Sequence, residues 1–133
     1  MAATSSASRA SILVFAVYLT GLGGGLLLLP GRVLPLFGFA PPRDFWPRLL
    51  GGLLLVLAAY YFLAAREGNR TFYRWTVLGR LPLIVLYTGL FLFAGAPLPL
   101  LLIGAFESGC GLWTHLALRR EEAAAQSGHL TSL

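Results

Sequence analysis

The spacing of the charged residues constrains this chain more than any other feature. No charged side chain occurs from residue 10 to 31, from 49 to 65 or from 81 to 106. A membrane core needs about 20 consecutive apolar residues if the chain crosses it as a helix. Each run is therefore long enough to cross a bilayer, and an ordinary soluble domain is excluded.

The overall composition supports the same class. Of the 133 residues, 57% are hydrophobic and 11% are charged, and the mean hydropathy is +0.77. An ordinary soluble domain carries about 25% charged residues. The length leaves room for one domain without an appended catalytic module. The chain is therefore expected to be a small integral membrane protein.

The third uncharged run holds a turn, and another span follows it. Gly95, Pro97 and Pro99 interrupt the run, as expected of a connection between two helices. The apolar stretch after the turn contains Glu107 and His115. We therefore predict a transmembrane domain over residues 1–120, with helices near 11–29, 46–65, 73–94 and 98–118, and a short polar cytoplasmic tail over 121–133.

These spans are expected to form an all-α, antiparallel four-transmembrane-helix bundle. Only helices or a closed barrel satisfy the backbone within lipid, and continuous apolar runs lack the alternation of barrel strands. Arg9 precedes the first run, as a basic residue does in a signal peptide. The run is too long for a signal core and has no small-residue cleavage site after it, so we expect it to remain in the mature protein.

The arginines predict the orientation. Six lie on the side that carries the two termini, and three lie on the other side. Because basic residues accumulate in cytoplasmic loops, both termini are predicted to be cytoplasmic in a protein of the inner membrane. The two sets are Arg9, Arg66, Arg70, Arg74, Arg119 and Arg120 on the first side and Arg32, Arg43 and Arg48 on the second.

Arg80 and Glu107 are the two charged residues that lie well inside the predicted spans rather than at their ends. Ionisable groups within a membrane are costly, so each is a candidate functional residue. At about 100° per residue, Tyr73, Thr76 and Tyr87 share the face of Arg80. The same arithmetic places Cys110, Gly111, Thr114 and His115 near the face of Glu107.

The two polar faces are predicted to meet, with Arg80 and Glu107 forming a buried ion pair. Such a pair can simply fix the helix register. The same residues could instead bind or move a proton, an ion or a polar headgroup. In a third interpretation, Arg80 extends to the headgroups and Glu107 is a neutral hydrogen-bond donor. The candidate ligand or ion site comprises Arg80, Glu107, Tyr87, Thr76, Cys110, Thr114 and His115.

Small residues and tyrosines give weaker signals. Gly21 and Gly25 form a GxxxG pair, which allows close helix contact inside the bundle or in a homodimer. Tyr60 and Tyr61 near the end of the second span are interpreted as residues of the membrane interface.

Several chemistries are disfavoured by composition. The single cysteine, Cys110, excludes an intrachain disulfide and a cysteine-built metal site. Haem bound by histidines from two helices is disfavoured, because His115 lies in a span and His129 lies in the tail. We therefore predict no cofactor, no metal site and no catalytic residue. The arginines are scattered between apolar blocks, so lipid headgroups are expected as partners and nucleic acid is not.

The segments 72–80 and 109–113 give the chain a resemblance to known proteins. They read FYRWTVLGR and GCGLW, and they resemble small uncharacterised bacterial four-helix membrane proteins that are loosely DoxX-like in size and hydropathy. The resemblance implies a fold and a compartment but no activity. Small multidrug transporters share the length but resemble this chain poorly, since their essential glutamate lies in a first span that here has no charge.

Three functions remain open from sequence. The leading hypothesis is a non-enzymatic bundle that accompanies a larger membrane-protein partner or holds a small apolar, lipid-like molecule. The second is a small homodimeric transporter or channel that uses Glu107 as its proton or cation site. The third is an intramembrane enzyme with Glu107 as acid or base.

Overall fold

The computed structural model describes residues 6–132, and within this part of the chain the regular secondary structure is entirely helical, without strands. The helices are, in order, α1 (Ala7–Leu28), α2 (Pro30–Leu36), α3 (Trp46–Glu67), α4 (Arg70–Arg80), α5 (Leu83–Ala94) and α6 (Leu98–Thr131). Four helical segments are long and apolar enough to cross a membrane, with α4 and α5 together forming the third. The predicted all-α four-helix membrane bundle is confirmed.

The lengths of α1 and α3 match a bilayer. Each has 22 residues, or about 33 Å at 1.5 Å per residue, close to the roughly 30 Å hydrocarbon core. The end of the bundle where α1 begins and α6 ends is called the terminal end. The part that carries α2 is called the opposite end.

Two glycines bring α1 and α3 together in the most extensive helix contact of the bundle. A Cβ atom added at Gly23 would lie 2.8 Å from the carbonyl oxygen of Gly51, so only a missing side chain allows the backbones to approach so closely. Of the predicted GxxxG pair, Gly25 lies against Val33 of α2, whereas a Cβ at Gly21 would meet nothing within 4 Å.

The connection between α1 and α3 is partly helical. It contains the short helix α2, which begins with Pro30, where a missing N–H costs nothing. After α2, Gly38 adopts a φ of +85° and lies against Pro97 in the turn before α6. This segment therefore covers the opposite end of the bundle.

The third span is broken in the middle. Helix α4 ends at Arg80, residues 81 and 82 form a turn, and α5 begins at Leu83. Pro82 cannot donate the backbone hydrogen bond that would continue the helix. None of the residues of α5 is buried, whereas α4 buries Tyr73, Thr76, Val77 and Arg80.

Helix α6 continues beyond its apolar part. The sequence analysis places the end of the fourth span near residue 118, whereas the helix runs to Thr131. In this polar extension Glu121 accepts a hydrogen bond from Arg70 at 2.9 Å, and Glu122 forms an ion pair with Arg74. These contacts tie the extension to the first turns of α4.

The arginines separate into two groups as predicted. Arg9, Arg66 and Arg70 line one pocket at the terminal end. The other set, Arg32, Arg43 and Arg48, lines a pocket at the opposite end. The structure therefore agrees with the predicted division of these arginines between the two ends of the bundle.

Candidate functional site

Arg80 lies in the core, with only 3% of its surface exposed. Its Nε donates to the carbonyl oxygen of Thr76 at 3.3 Å. Its Nη2 donates to the hydroxyl of Thr76 and to that of Thr114, each at 2.9 Å. Thr76 and Thr114, both predicted as site residues, are therefore neutral acceptors for the guanidinium.

Two aromatic rings complete the surroundings of Arg80. The guanidinium carbon lies 4.7 Å from the ring centre of Phe15 and 5.7 Å from that of Tyr61. Ring faces attract cations, and the attraction strengthens away from water. Tyr61 is 4% exposed, so its interpretation as an interface residue is wrong, whereas the neighbouring Tyr60 is exposed.

Glu107 is held by two tyrosines from different helices. The Tyr18 hydroxyl of α1 donates to Oε1 at 2.8 Å, and the Tyr87 hydroxyl of α5 donates to Oε2 at 3.2 Å. Each carboxyl oxygen thus has one phenol donor and can accept another hydrogen bond. The carboxyl group is fixed in place by α1 and α5.

The predicted ion pair between Arg80 and Glu107 is wrong. Between residues 6 and 132 the ion pairs are those of Arg70 and Arg74 with the polar extension of α6. The Arg80 side chain passes Gly111 and reaches Thr114, which lies seven residues, or about 10 Å, along α6 from Glu107. Its bonds to Thr76 direct it toward the terminal end and away from the carboxyl group.

A line of hydroxyl groups continues from Arg80 to the terminal end. Thr114 Oγ1 lies 2.7 Å from Ser11 Oγ, and the Ser11 hydroxyl donates to the carbonyl oxygen of Ser8 at 2.7 Å. The Ser8 hydroxyl and backbone N–H both donate to Glu121. The buried polar groups of α1, α4 and α6 therefore form a network that joins the three helices.

Ser108 holds the break in the third span. Its hydroxyl donates to the carbonyl oxygen of Arg80 at 2.9 Å and accepts from the backbone N–H of Ile84 at 3.1 Å. A turn inside the membrane leaves backbone groups without helical partners, and an unsatisfied group there is costly. Ser108 satisfies one group from each side of the turn.

The remaining predicted site residues contribute less. Cys110 is buried, and its carbonyl oxygen, rather than its thiol, accepts a hydrogen bond from Thr114. His115 is half-buried. Across residues 6–132 no cluster of three or more His, Cys, Asp and Glu side chains is placed to hold a metal ion.

An apolar cavity of about 290 Å³ reaches Glu107. We call it the Glu107 cavity, and its volume is near the lower end of ligand sites, roughly 300–1,000 Å³. Glu107 and Tyr87 are its polar groups, and the rest of the wall is aliphatic or aromatic. That wall comprises Leu22, Leu26, Leu34, Phe37, Phe39, Trp46, Leu50, Leu54, Leu100 and Ile103.

Gly104 positions Tyr87 in this wall. A Cβ atom at Gly104 would collide with the Tyr87 ring, so the glycine lets the ring lie directly on α6. From that position the phenol reaches Glu107, three residues further along α6. One small residue therefore sets both the shape of the cavity and the contact to the carboxyl group.

Three residues of the site were not predicted as site residues from the sequence: Tyr18, Ser108 and Tyr61. Tyr18 lies in the first span, which carries no charge, whereas the predicted site residues lie in the spans that contain Arg80 and Glu107. A tyrosine hydroxyl in the middle of an apolar span needs a hydrogen-bond partner, so Tyr18 carried a usable signal. Ser108 adjoins Glu107, but only the break after Arg80 gives it a role.

No protein-family model matches the chain, and comparisons with curated proteins and with solved structures give no match either. The DoxX-like resemblance receives no support from these comparisons.

Proposed function

We propose that the protein is a non-enzymatic bundle of the inner membrane, with cytoplasmic termini, that binds a small apolar, lipid-like molecule in the Glu107 cavity. The observation that carries the proposal is the cavity itself, whose apolar wall surrounds one carboxyl group and one phenol. Binding sites for small molecules commonly combine such a wall with a few fixed polar groups.

The polar groups favour a ligand with a hydrogen-bond donor at one end. Tyr18 and Tyr87 each donate to Glu107, so what the carboxyl group offers to a ligand is acceptor capacity. A hydroxyl or amine on the ligand meets that requirement, and the apolar wall accommodates a hydrocarbon body. The two phenols hold the carboxyl group before the ligand arrives, which lowers the cost of ordering it.

Trp46 provides a direct test because it lines the cavity. The other tryptophans, Trp75 and Trp113, do not line it. In a Trp75→Phe, Trp113→Phe background, bromine-labelled decanol should quench the fluorescence of Trp46. The quenching should saturate at a low concentration of the probe. Bromine-labelled decane lacks the hydroxyl and should bind at least about tenfold more weakly, because a hydrogen bond to a charged group contributes about 1.5–3 kcal/mol.

Two neighbouring residues of α6 give a matched pair of variants. Ile103→Phe fills the cavity and should abolish saturable quenching, since Ile103 lines the wall. Leu102→Phe adds the same ring on the exposed side of the helix and should leave quenching unchanged. Equal quenching of both variants would show that the probe reaches Trp46 from the detergent and would refute the proposal.

A second candidate function is a proton or cation site for transport. It is favoured by the position of Glu107 on the cavity wall, without an ion pair to Arg80. Proton-coupled flux in liposomes that contain the purified protein should then be abolished by Glu107→Gln. Flux that is absent in the unmodified protein, or that survives the substitution, would remove this candidate.

We propose that α1 contacts a membrane-protein partner or a second copy of the chain through its exposed glycines. Gly21 and Gly24 each face open space, and small residues of this kind let helices approach closely in lipid. Gly25 is less suited to that contact, because Val33 covers it. Gly21→Leu should lower the fraction of cross-linked dimer in native membranes, and an unchanged fraction would exclude this face.

A further inference from the structure

A second pocket, at the terminal end, is not used by the proposed function. It has a volume of about 310 Å³ and is lined by arginines from three helices: Arg9 of α1, Arg66 of α3 and Arg70 of α4. We call it the Arg9 pocket. Three guanidinium groups around one pocket repel one another, so the arrangement favours an anion between them.

Arg9 supplies an unused donor at this pocket. Its Nε is enclosed and has no hydrogen-bond partner within the described part of the chain. An enclosed donor without a partner is unfavourable, and a turn of the Arg9 side chain toward an acceptor in the pocket would relieve that cost. The Ser6 hydroxyl already accepts from the Arg9 backbone N–H, so the start of α1 is capped and the free donor belongs to the side chain.

The local acids do not cancel the arginines. Glu67 is the carboxylate in the lining of the pocket, and Glu121 lies outside the lining and bonds to Arg70. With both acids counted, one positive charge remains. The floor is formed by Ala65 and Tyr73, both buried, so an anion would sit in a recess rather than on a flat surface.

We propose that the Arg9 pocket binds a phosphate group, carried by an anionic lipid headgroup or free in solution. Guanidinium groups present paired N–H donors whose geometry fits phosphate oxygens. The volume equals that of about ten waters at about 30 Å³ each, enough for a phosphate with part of its hydration or headgroup. The pocket lies at the end predicted to face the anionic cytoplasmic leaflet.

The arginine pocket at the opposite end lacks these features. There Arg48 already donates to the carbonyl oxygen of Leu27 at 3.0 Å. Arg32 and Arg43 are exposed. Both pockets are therefore lined by arginines. The Arg9 pocket differs in having an enclosed donor without a partner and a buried floor.

The test uses the full chain purified in an uncharged detergent, with the midpoint of thermal unfolding as readout. One arm replaces chloride by inorganic phosphate at constant ionic strength. The other adds phosphatidylglycerol to the micelles, with phosphatidylcholine as reference. Saturable stabilisation by phosphate alone assigns the site to free phosphate, stabilisation by phosphatidylglycerol alone assigns it to a headgroup, and stabilisation by both indicates one site that accepts either.

Three single substitutions of arginine by glutamine each remove one positive charge. Arg9→Gln and Arg66→Gln should each weaken the saturable effect by about tenfold or more, as expected for losing a charge-assisted hydrogen bond. Arg119→Gln, at the same end but outside the pocket, should change it by less than about twofold. Arg66 is exposed, so its variant remains informative if Arg9→Gln does not fold. Absence of saturable stabilisation, or equal loss in Arg66→Gln and Arg119→Gln, would overturn the proposal.

Discussion

Arg80 and Glu107 are both buried, yet the side-chain hydrogen bonds of each go to uncharged groups and not to the other. The guanidinium donates to two threonines, and the carboxyl group accepts from two tyrosines. The interior therefore contains two separate polar centres. One joins the helices near the terminal end, and the other borders a cavity.

This separation predicts a small cost for Glu107→Gln. Removing one member of a buried ion pair costs about 3–5 kcal/mol, because the other charge is stranded. Glutamine at residue 107 keeps an acceptor for one of the two phenols, so we expect the free energy of unfolding to fall by only about 1–2 kcal/mol. Denaturant titration in detergent measures this difference. A loss of 3 kcal/mol or more would indicate that the charge of Glu107 compensates Arg80.

Thr114→Val should be more damaging than an ordinary threonine substitution. It leaves the Arg80 Nη2 with one acceptor fewer and also removes the contact to Ser11, so a loss of about 1–3 kcal/mol is expected. Thr88→Val is the control, since that hydroxyl bonds only to the carbonyl oxygen of Ile84. Its effect should stay within about 0.5 kcal/mol. Similar losses in the same denaturant titration would argue against a special role for Thr114.

Gly104→Ala should disturb the Glu107 cavity. The new methyl group would collide with the ring of Tyr87, at a cost of about 1–3 kcal/mol for overpacking. Quenching of Trp46 by bromine-labelled decanol should weaken in parallel. Gly109→Ala on the same helix meets open space and should be neutral or stabilising by up to about 1 kcal/mol. If the two variants bind the probe alike, the position of Tyr87 does not shape the site.

Gly23→Ala tests the closest helix contact. The methyl group would press on the backbone of Gly51, which cannot move aside as a flexible side chain can, so α1 and α3 must separate. We expect the thermal midpoint in detergent to fall by several degrees, corresponding to roughly 1–3 kcal/mol. Gly24→Ala, which faces open space, should leave the midpoint unchanged or slightly raised. The opposite order would place the helix contact on the other side of α1.

The spans could be predicted from sequence because lipid enforces a simple rule. A charged residue is costly inside a membrane and ordinary at its edge, so the intervals between arginines mark the helices. The spacing of charged residues does not predict short helices that do not cross the membrane. Helix α2 has seven residues and two prolines. It contacts α1 through Val33, and Gly38 just after it lies against Pro97, and no local sequence pattern contains these contacts.

The sequence predicts which residues belong to the candidate site better than it predicts the hydrogen bonds between them. Helical periodicity placed Thr76 and Arg80 on one face and Thr114 near the face of Glu107, and all four are buried. Periodicity cannot say whether a long side chain turns up or down the neighbouring helix. Arg80 turns toward Thr114 because Thr76, one turn before it, holds its Nε and Nη2. That choice depends on three-dimensional contacts.

The break after Arg80 divides one transmembrane segment into two helices with different surroundings. Helix α4 is fixed by buried contacts around the guanidinium, whereas α5 buries no residue and carries Tyr87 to the cavity. Ser108 joins the two at their meeting point. One passage through the membrane therefore has two tasks: its first half holds the packed core together, and its second half forms part of the cavity wall.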